Sequence, residues 1–351
     1  MSMNRGDIKK LYLNDPNLYK ITFSTLNLFD DVYDNDIYVD DDIDISYHTS
    51  ATSIHPLIHP PTCVTNDLET LTNPNHNTIH TVAEHNVKNT DEYILSYLSD
   101  ALRHNHILTT LVIDDLSFGD CTYYINNILL YNRSIKHLCI NKCIFGEIEN
   151  TTEKRVDDDC DISISMSHNN SITHLFLEHI NLKLEFFKKL CDGWCDNTTI
   201  TTLVIENCNI NDSHVNSLNN MLSKNSTLTS LSLPYNKIST IPNIVHNQNI
   251  EVLNLSYNSL NNITDICNII KHNMVIRELH IVDNPFTPFN LFTVGCVDHV
   301  KDIEHALYLN GHITCFSYDI ITYSILNITD RNYYNTWQKT TAMFQRLLDL
   351  L

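Results

Sequence analysis

Eleven cysteines and nineteen histidines in 351 residues supply thiolate and imidazole groups in quantity, so metal coordination is the first chemistry to test. Cys191 and Cys195 stand four apart, a spacing that puts both on one face of a helix. A zinc site needs further ligands, and none lies near this pair in a known spacing. The pair therefore reads as buried thiols. His48, His55, His59, His76, His80 and His85 crowd one polar stretch without a ligand pattern. No dedicated metal site and no cofactor is expected. Eleven is also an odd count, scattered without paired spacing, which suits reduced thiols better than a disulfide framework.

Catalytic motifs fare no better. The chain has no glycine-rich phosphate loop, no G-x-S-x-G elbow and no H-E-x-x-H pair, and its six glycines leave few positions for a backbone cradle around phosphate. No catalytic residue is nominated, and the expectation is a protein that is not an enzyme.

The informative residues belong to a repeat. Apolar positions spaced three, two, three and two apart recur as L-x-x-L-x-L-x-x-N/C-x-L. Seven good copies begin at Leu108, Ile135, Ile172, Ile200, Leu228, Ile250 and Ile276, and weaker ones begin at Leu18 and Ile313. The central x-L-x-L-x alternates with period two, as a short strand does when one face is buried. Stacked copies make a parallel sheet. The ninth position turns the chain inward, where a small polar side chain can satisfy backbone groups of the turn. Asn236, Asn258 and Asn284 fill it with amides and Cys143 and Cys208 with thiols, whereas Leu116 and Ile180 should interrupt this ladder.

The segments between strands read as helices. Val215, Leu218, Met221 and Leu222 form one stripe, with Asp212 or Ser213 as N-cap, and Phe187, Leu190, Cys191 and Trp194 form another. Most copies start about 28 residues apart, but Leu228 and Ile250 are only 22 apart, which leaves room for a turn. Strand and helix in about 28 residues resembles the ribonuclease-inhibitor-like subclass of leucine-rich-repeat proteins. The resemblance covers roughly residues 92–320. It implies an α/β solenoid, with a curved parallel sheet on the concave face and helices on the convex face. The same resemblance is nearly silent about function.

Around this solenoid, taken as residues 91–320, the period breaks. Residues 1–28 carry a degenerate repeat. Residues 29–90 read as a flexible acidic and polar insertion, with no Lys or Arg between Lys20 and Lys88. A second acidic loop is expected near 147–165. Residues 321–351 should cap the last repeat with an amphipathic helix over 333–351. Asn-x-Ser/Thr triplets at Asn132, Asn150, Asn197 and Asn225 read as accidents of an Asn-rich composition.

A formal charge of −20 opposes binding to nucleic-acid phosphates and anionic lipid heads. No signal segment and no membrane span is visible, so a soluble cytoplasmic protein is expected, monomeric apart from its partner. The surface left for function is the outward side of the strands. Candidate partner-binding residues are His137, Phe176, Val204, Ser232, Asn254 and His280 within the strands, and His179, Asn207, Tyr235, Tyr257 and Asp283 just beyond them. Phe176 and Val204 with Tyr235 and Tyr257 would form an apolar and aromatic strip, the composition of binding hot spots. The leading function is an adaptor or inhibitor that binds a protein through this face. Two alternatives stand beside it: a regulator of small GTPases, which the repeat type alone suggests, and a scaffold whose acidic insertions bind a basic partner.

Overall fold

The computed structural model describes residue 14 and residues 20–24, 90–115, 121–145, 161–286, 294–318 and 328–332. The expected insertion up to residue 89, the acidic loop at 147–160, Leu116, Asn150 and the expected helix at 333–351 lie outside these residues.

Among the described residues nine strands form one parallel sheet in strict chain order. They are β1 Lys20–Ser24, β2 Thr110–Asp114, β3 His137–Asn141, β4 His174–Glu178, β5 Thr202–Glu206, β6 Ser230–Ser232, β7 Val252–Asn254, β8 Glu278–His280 and β9 Cys315–Ser317. The register keeps equivalent repeat positions side by side: Leu111, Leu138, Leu175, Leu203, Leu231, Leu253 and Leu279 pair in succession. All seven are buried. Burying one leucine is worth roughly 1.5–3 kcal/mol, and a one-residue slip would turn every one of them to solvent, so the ladder fixes the register.

Helices fill the returning segments: α1 Thr90–His104, α2 Thr122–Tyr131, α3 Ile162–His168, α4 Leu184–Asp196, α5 Asp212–Lys224, α6 Ile263–His272 and α7 Val294–Leu309. The short repeat between β6 and β7 has no helix, as its length requires. Strands sit about 4.8 Å apart whereas helices need about 10 Å, so the sheet takes the inside of the curve and the helices the outside. Both predicted helical stripes face the core. Helices α3 and α4 approach closely at Gly193, where a Cβ would lie 2.6 Å from the Ser163 carbonyl oxygen and 2.8 Å from Met166 Cβ.

Two details differ from the expectations. Helix α3 begins at Ile162, capped by the Asp161 side chain, so the acidic loop ends earlier than residue 165. The N-cap of α5 is Asn211, not Asp212 or Ser213. Asn211 accepts from the Ser213 amide at 3.0 Å, and Asp212 is thereby free to accept the Ser239 and Thr240 amides of the next repeat, both at 2.8 Å.

The ninth-position side chains bind the repeat before them. Nδ2 of Asn236 donates to the Ile205 carbonyl at 2.8 Å, that of Asn258 to Leu233 at 2.8 Å and that of Asn284 to Leu255 at 2.9 Å. The Asn236 side-chain oxygen accepts the Cys208 and Ile210 amides. Cys143 and Cys208 place their thiols on the Ile113 and Leu177 carbonyls at 3.7 and 3.2 Å.

A second asparagine ladder runs along the helix C-termini, and it overturns the reading of the Asn-x-Ser/Thr triplets. Asn132, Asn169, Asn197, Asn225, Asn273 and Asn310 each follow a helix and are buried. In each, the side-chain oxygen accepts the amides two and three residues on, as Asn225 does from Thr227 and Leu228 at 3.0 and 2.8 Å. Its Nδ2 donates backwards, to Trp194 and Asn197 carbonyls at 2.7 and 3.0 Å. The hydroxyl two residues on, in Ser134, Ser171, Thr199 and Thr227, donates to the preceding repeat's asparagine carbonyl. The triplets at Asn132, Asn197 and Asn225 are thus a structural repeat, and their amides are closed to a glycan in the folded chain.

His214 completes the α5 capping box from inside the core. Its Nδ1 lies 3.3 Å from the Asn211 amide nitrogen and 2.9 Å from the Asn211 side-chain oxygen, and its Nε2 lies 3.2 Å from the Leu182 carbonyl oxygen. Burial holds its pKa below the ordinary 6.5, against the pull of the Leu182 and Asn211 contacts. The unfolded chain then takes up this proton first, so the contribution is complete above about pH 6.5 and declines as pH falls toward the folded-state value. Urea midpoints measured from pH 7 to 5 should fall less steeply in His214→Gln than in the unsubstituted protein; parallel slopes would assign the acid sensitivity elsewhere.

Candidate binding face of the sheet

Strand geometry turns alternate residues away from the core, and the register stacks them into columns. The first column runs Thr110, His137, His174, Thr202, Ser230, Val252, Glu278 and Cys315; the second runs Val112, Cys139, Phe176, Val204, Ser232, Asn254, His280 and Ser317. Each predicted site residue in these columns is exposed or half-buried. Val112, Cys139, Phe176 and Val204 give the second column an apolar middle. His137 and His174 meet edge to face at 4.6 Å, and burial plus the neighbouring His137 depress the pKa of His174.

Sequence reasoning missed a third column. The alternation continues one step past the second buried leucine, placing Asp114, Asn141, Glu178 and Glu206 outward in a row. Asn141 donates to Asp114 at 2.8 Å, and His179 Nδ1 lies 3.1 Å from the Asn141 side-chain oxygen. Partial burial first, and then repulsion from Glu206, raises the pKa of Glu178. The row is therefore a partly desolvated line of negative charge. Beside it, burial pushes the Cys139 thiol up to about 12, aided by Glu178 and Asp114. A thiol so placed stays protonated and is a poor nucleophile.

Past the strand ends comes a fourth row: Asp115, Lys142, His179, Asn207, Tyr235, Tyr257 and Asp283. Every one of these has φ between 49° and 56°. The left-handed turn aims the amide of each of the first six at a carbonyl of the next repeat, as Tyr257 does at Val282, 2.8 Å away. Non-glycine residues give up about 1 kcal/mol to sit there. The extended ladder and the outward placement of their side chains offset this. Tyr235 and Tyr257 stack with ring centroids 4.1 Å apart and planes within 11°. Hydrogen bonds to Tyr235 and Asp283 raise the Tyr257 pKa to about 12. A shallow depression lies next to them, lined by His179, Asn207, Asn209, Tyr235 and Lys237.

The predicted residues are therefore distributed along one face. Phe176, Val204, His179, Asn207 and Tyr235 belong to successive repeats, with Tyr257 and Asp283 continuing the row. His280 stands apart, bonded to Ser317 on β9 at 2.9 Å. Cys191 is buried and Cys195 half-exposed, both free thiols. No helix among the described residues is long and apolar enough to cross a membrane.

The repeat signature, the single parallel sheet in chain order and the helices on its outer side define a leucine-rich-repeat solenoid. Comparison with protein-family models and with curated protein sequences gives no match. Among solved structures, similarity is found to an internalin from Listeria monocytogenes, 15% identical over 66% of this chain and 68% of that one, with a TM-score of 0.36. The actin-binding site 2 of leiomodin-1 is 17% identical over 53% of this chain and 95% of that one, at a TM-score of 0.33. The tropomodulin C-terminal domain of Caenorhabditis elegans is 12% identical over 46% and 83%, at 0.28.

Proposed function

We propose that this chain is a protein-interaction module, an adaptor or inhibitor acting in the cytoplasm as a monomer, that holds a protein partner on the concave face of its solenoid. The observation that carries the reading is the alignment of three kinds of surface on a rigid sheet: the apolar column around Phe176 and Val204, the acidic row Asp114, Glu178 and Glu206, and the stacked Tyr235–Tyr257 pair. Aromatic anchors ringed by polar groups suit a protein interface. The negative row favours a partner with a Lys- or Arg-bearing segment, whose guanidinium groups also pack well on tyrosine faces. Helices in most returning segments favour the ribonuclease-inhibitor-like form of the repeat.

The test is affinity purification followed by binding titration. Hot-spot truncations cost about 2 kcal/mol or more each, so Phe176→Ala with Tyr235→Ala should weaken capture of the isolated partner at least a hundredfold. Glu178→Lys with Glu206→Lys should slow association and flatten its salt dependence. Neither pair contributes to the buried core, so far-UV circular dichroism should not change. Unaltered capture by both variants would remove this face from the function.

A further inference from the structure

We propose that Glu278, His280 and Cys315 form an open zinc-binding site at the C-terminal end of the sheet. Glu278 and His280 are two apart on β8 and so share its outward face. Cys315 on β9 is the direct register partner of Glu278. One carboxylate oxygen, one ring nitrogen and the sulfur all lie within 4.8 Å of one another, and the Glu278 Oε2 to His280 Nε2 separation is 3.8 Å.

One further observation fits a metal. Ser317, the next outward residue on β9, holds His280 Nδ1 at 2.9 Å, which leaves Nε2 facing Glu278. Metal-binding histidines are oriented in this way, with the far nitrogen tied to a second group.

Ligand chemistry selects the ion. Thiolate and imidazole exclude magnesium and calcium as preferred occupants, while a Cys, His and carboxylate set suits zinc. Three protein ligands leave one position open toward the concave face. The ligands come from strands joined by a 34-residue connection, so no local spacing announces them; only the register brings Cys315 to Glu278. The site does not depend on whether a protein partner is held elsewhere on the sheet.

Cobalt(II), a spectroscopic stand-in for zinc, tests the proposal on the full-length chain. Titration should give one equivalent of tetrahedral cobalt with a thiolate charge-transfer band, displaced by zinc. The band should vanish in Cys315→Ser, and affinity should fall at least tenfold in His280→Ala and in Glu278→Gln, with circular dichroism unchanged. Ser317→Ala, which touches no metal, should weaken binding by a smaller factor and leave the band in place. Absence of a thiolate band, its persistence in Cys315→Ser, or binding traced only to the histidine-bearing stretch 48–85 would overturn it.

Discussion

Asn225→Ala should destabilise the protein by about 3 kcal/mol, seen as a lower urea midpoint. With backbone groups of two consecutive repeats the side chain makes four hydrogen bonds, donating two and accepting two. Alanine leaves the Trp194 carbonyl and the Thr227 and Leu228 amides without these partners, and water has little access because Asn225 is buried. Asn225→Asp should be worse. It keeps both acceptors, loses both donors, and sets a carboxylate against the Trp194 and Asn197 carbonyls. Asn261→Ala, at an exposed position, is the control and should stay within about 0.5 kcal/mol. Equal losses for Asn225→Ala and the control would mean that the helix-end ladder contributes nothing.

Gly193→Ala sets two effects against each other. In a helix interior alanine is favoured over glycine by about 1 kcal/mol. At this position its Cβ would stand 2.6 Å from the backbone oxygen of Ser163 and 2.8 Å from Met166 Cβ, too close for either atom to remain in place. Relief requires α3 to move away from α4 as a body, because the obstructing oxygen is main chain. Overpacking of this kind costs about 1–3 kcal/mol, so the net effect should be destabilising, and Gly193→Val more so. Thermal unfolding of both variants decides the sign. An alanine variant with a raised Tm would show that propensity wins and that the α3–α4 contact is loose.

The fold was legible because its strongest signal is redundant. Leu203 alone predicts nothing, but Leu203, Ile205, Cys208 and Ile210 repeated at one spacing in successive copies specify strand, turn and stacking direction together. Asn236, Asn258 and Asn284 were legible for the same reason. The helix-end ladder was hidden in plain sight: Asn132, Asn197 and Asn225 precede the first buried Leu or Ile of their repeats by three residues. Their Ser/Thr neighbours matched a modification signal with a different physical meaning. The N-cap at Asn211 differs from the expected Asp212 or Ser213 because all three are good caps, and only the bonds that Asp212 accepts from the Ser239 and Thr240 amides decide among them.

Within the candidate site, period two named the outward columns through Phe176 and His280 but stopped one step short of Asp114, Glu178 and Glu206. The left-handed row was harder to read. Asn207 and Asp283 tolerate positive φ and hint at it, whereas Lys142, Tyr235 and Tyr257 do not. Their conformation is imposed by the amide-to-carbonyl bonds between repeats. Pairings across the register, such as Cys315 with Glu278, follow only from aligning the weak copy at Ile313 with the copy at Ile276, and no local spacing shows them.

Hydrogen exchange of asparagine side-chain amides, resolved by nuclear magnetic resonance, tests the stacking most directly, since it reads the bonds that join one coil to the next. Side-chain protons of Asn197, Asn225, Asn236 and Asn258 should exchange far more slowly than those of exposed Asn207 in the same molecule. Exchange of all five at the rate of a free amide would contradict the stacked coils, and with them the sheet face on which the proposed function rests.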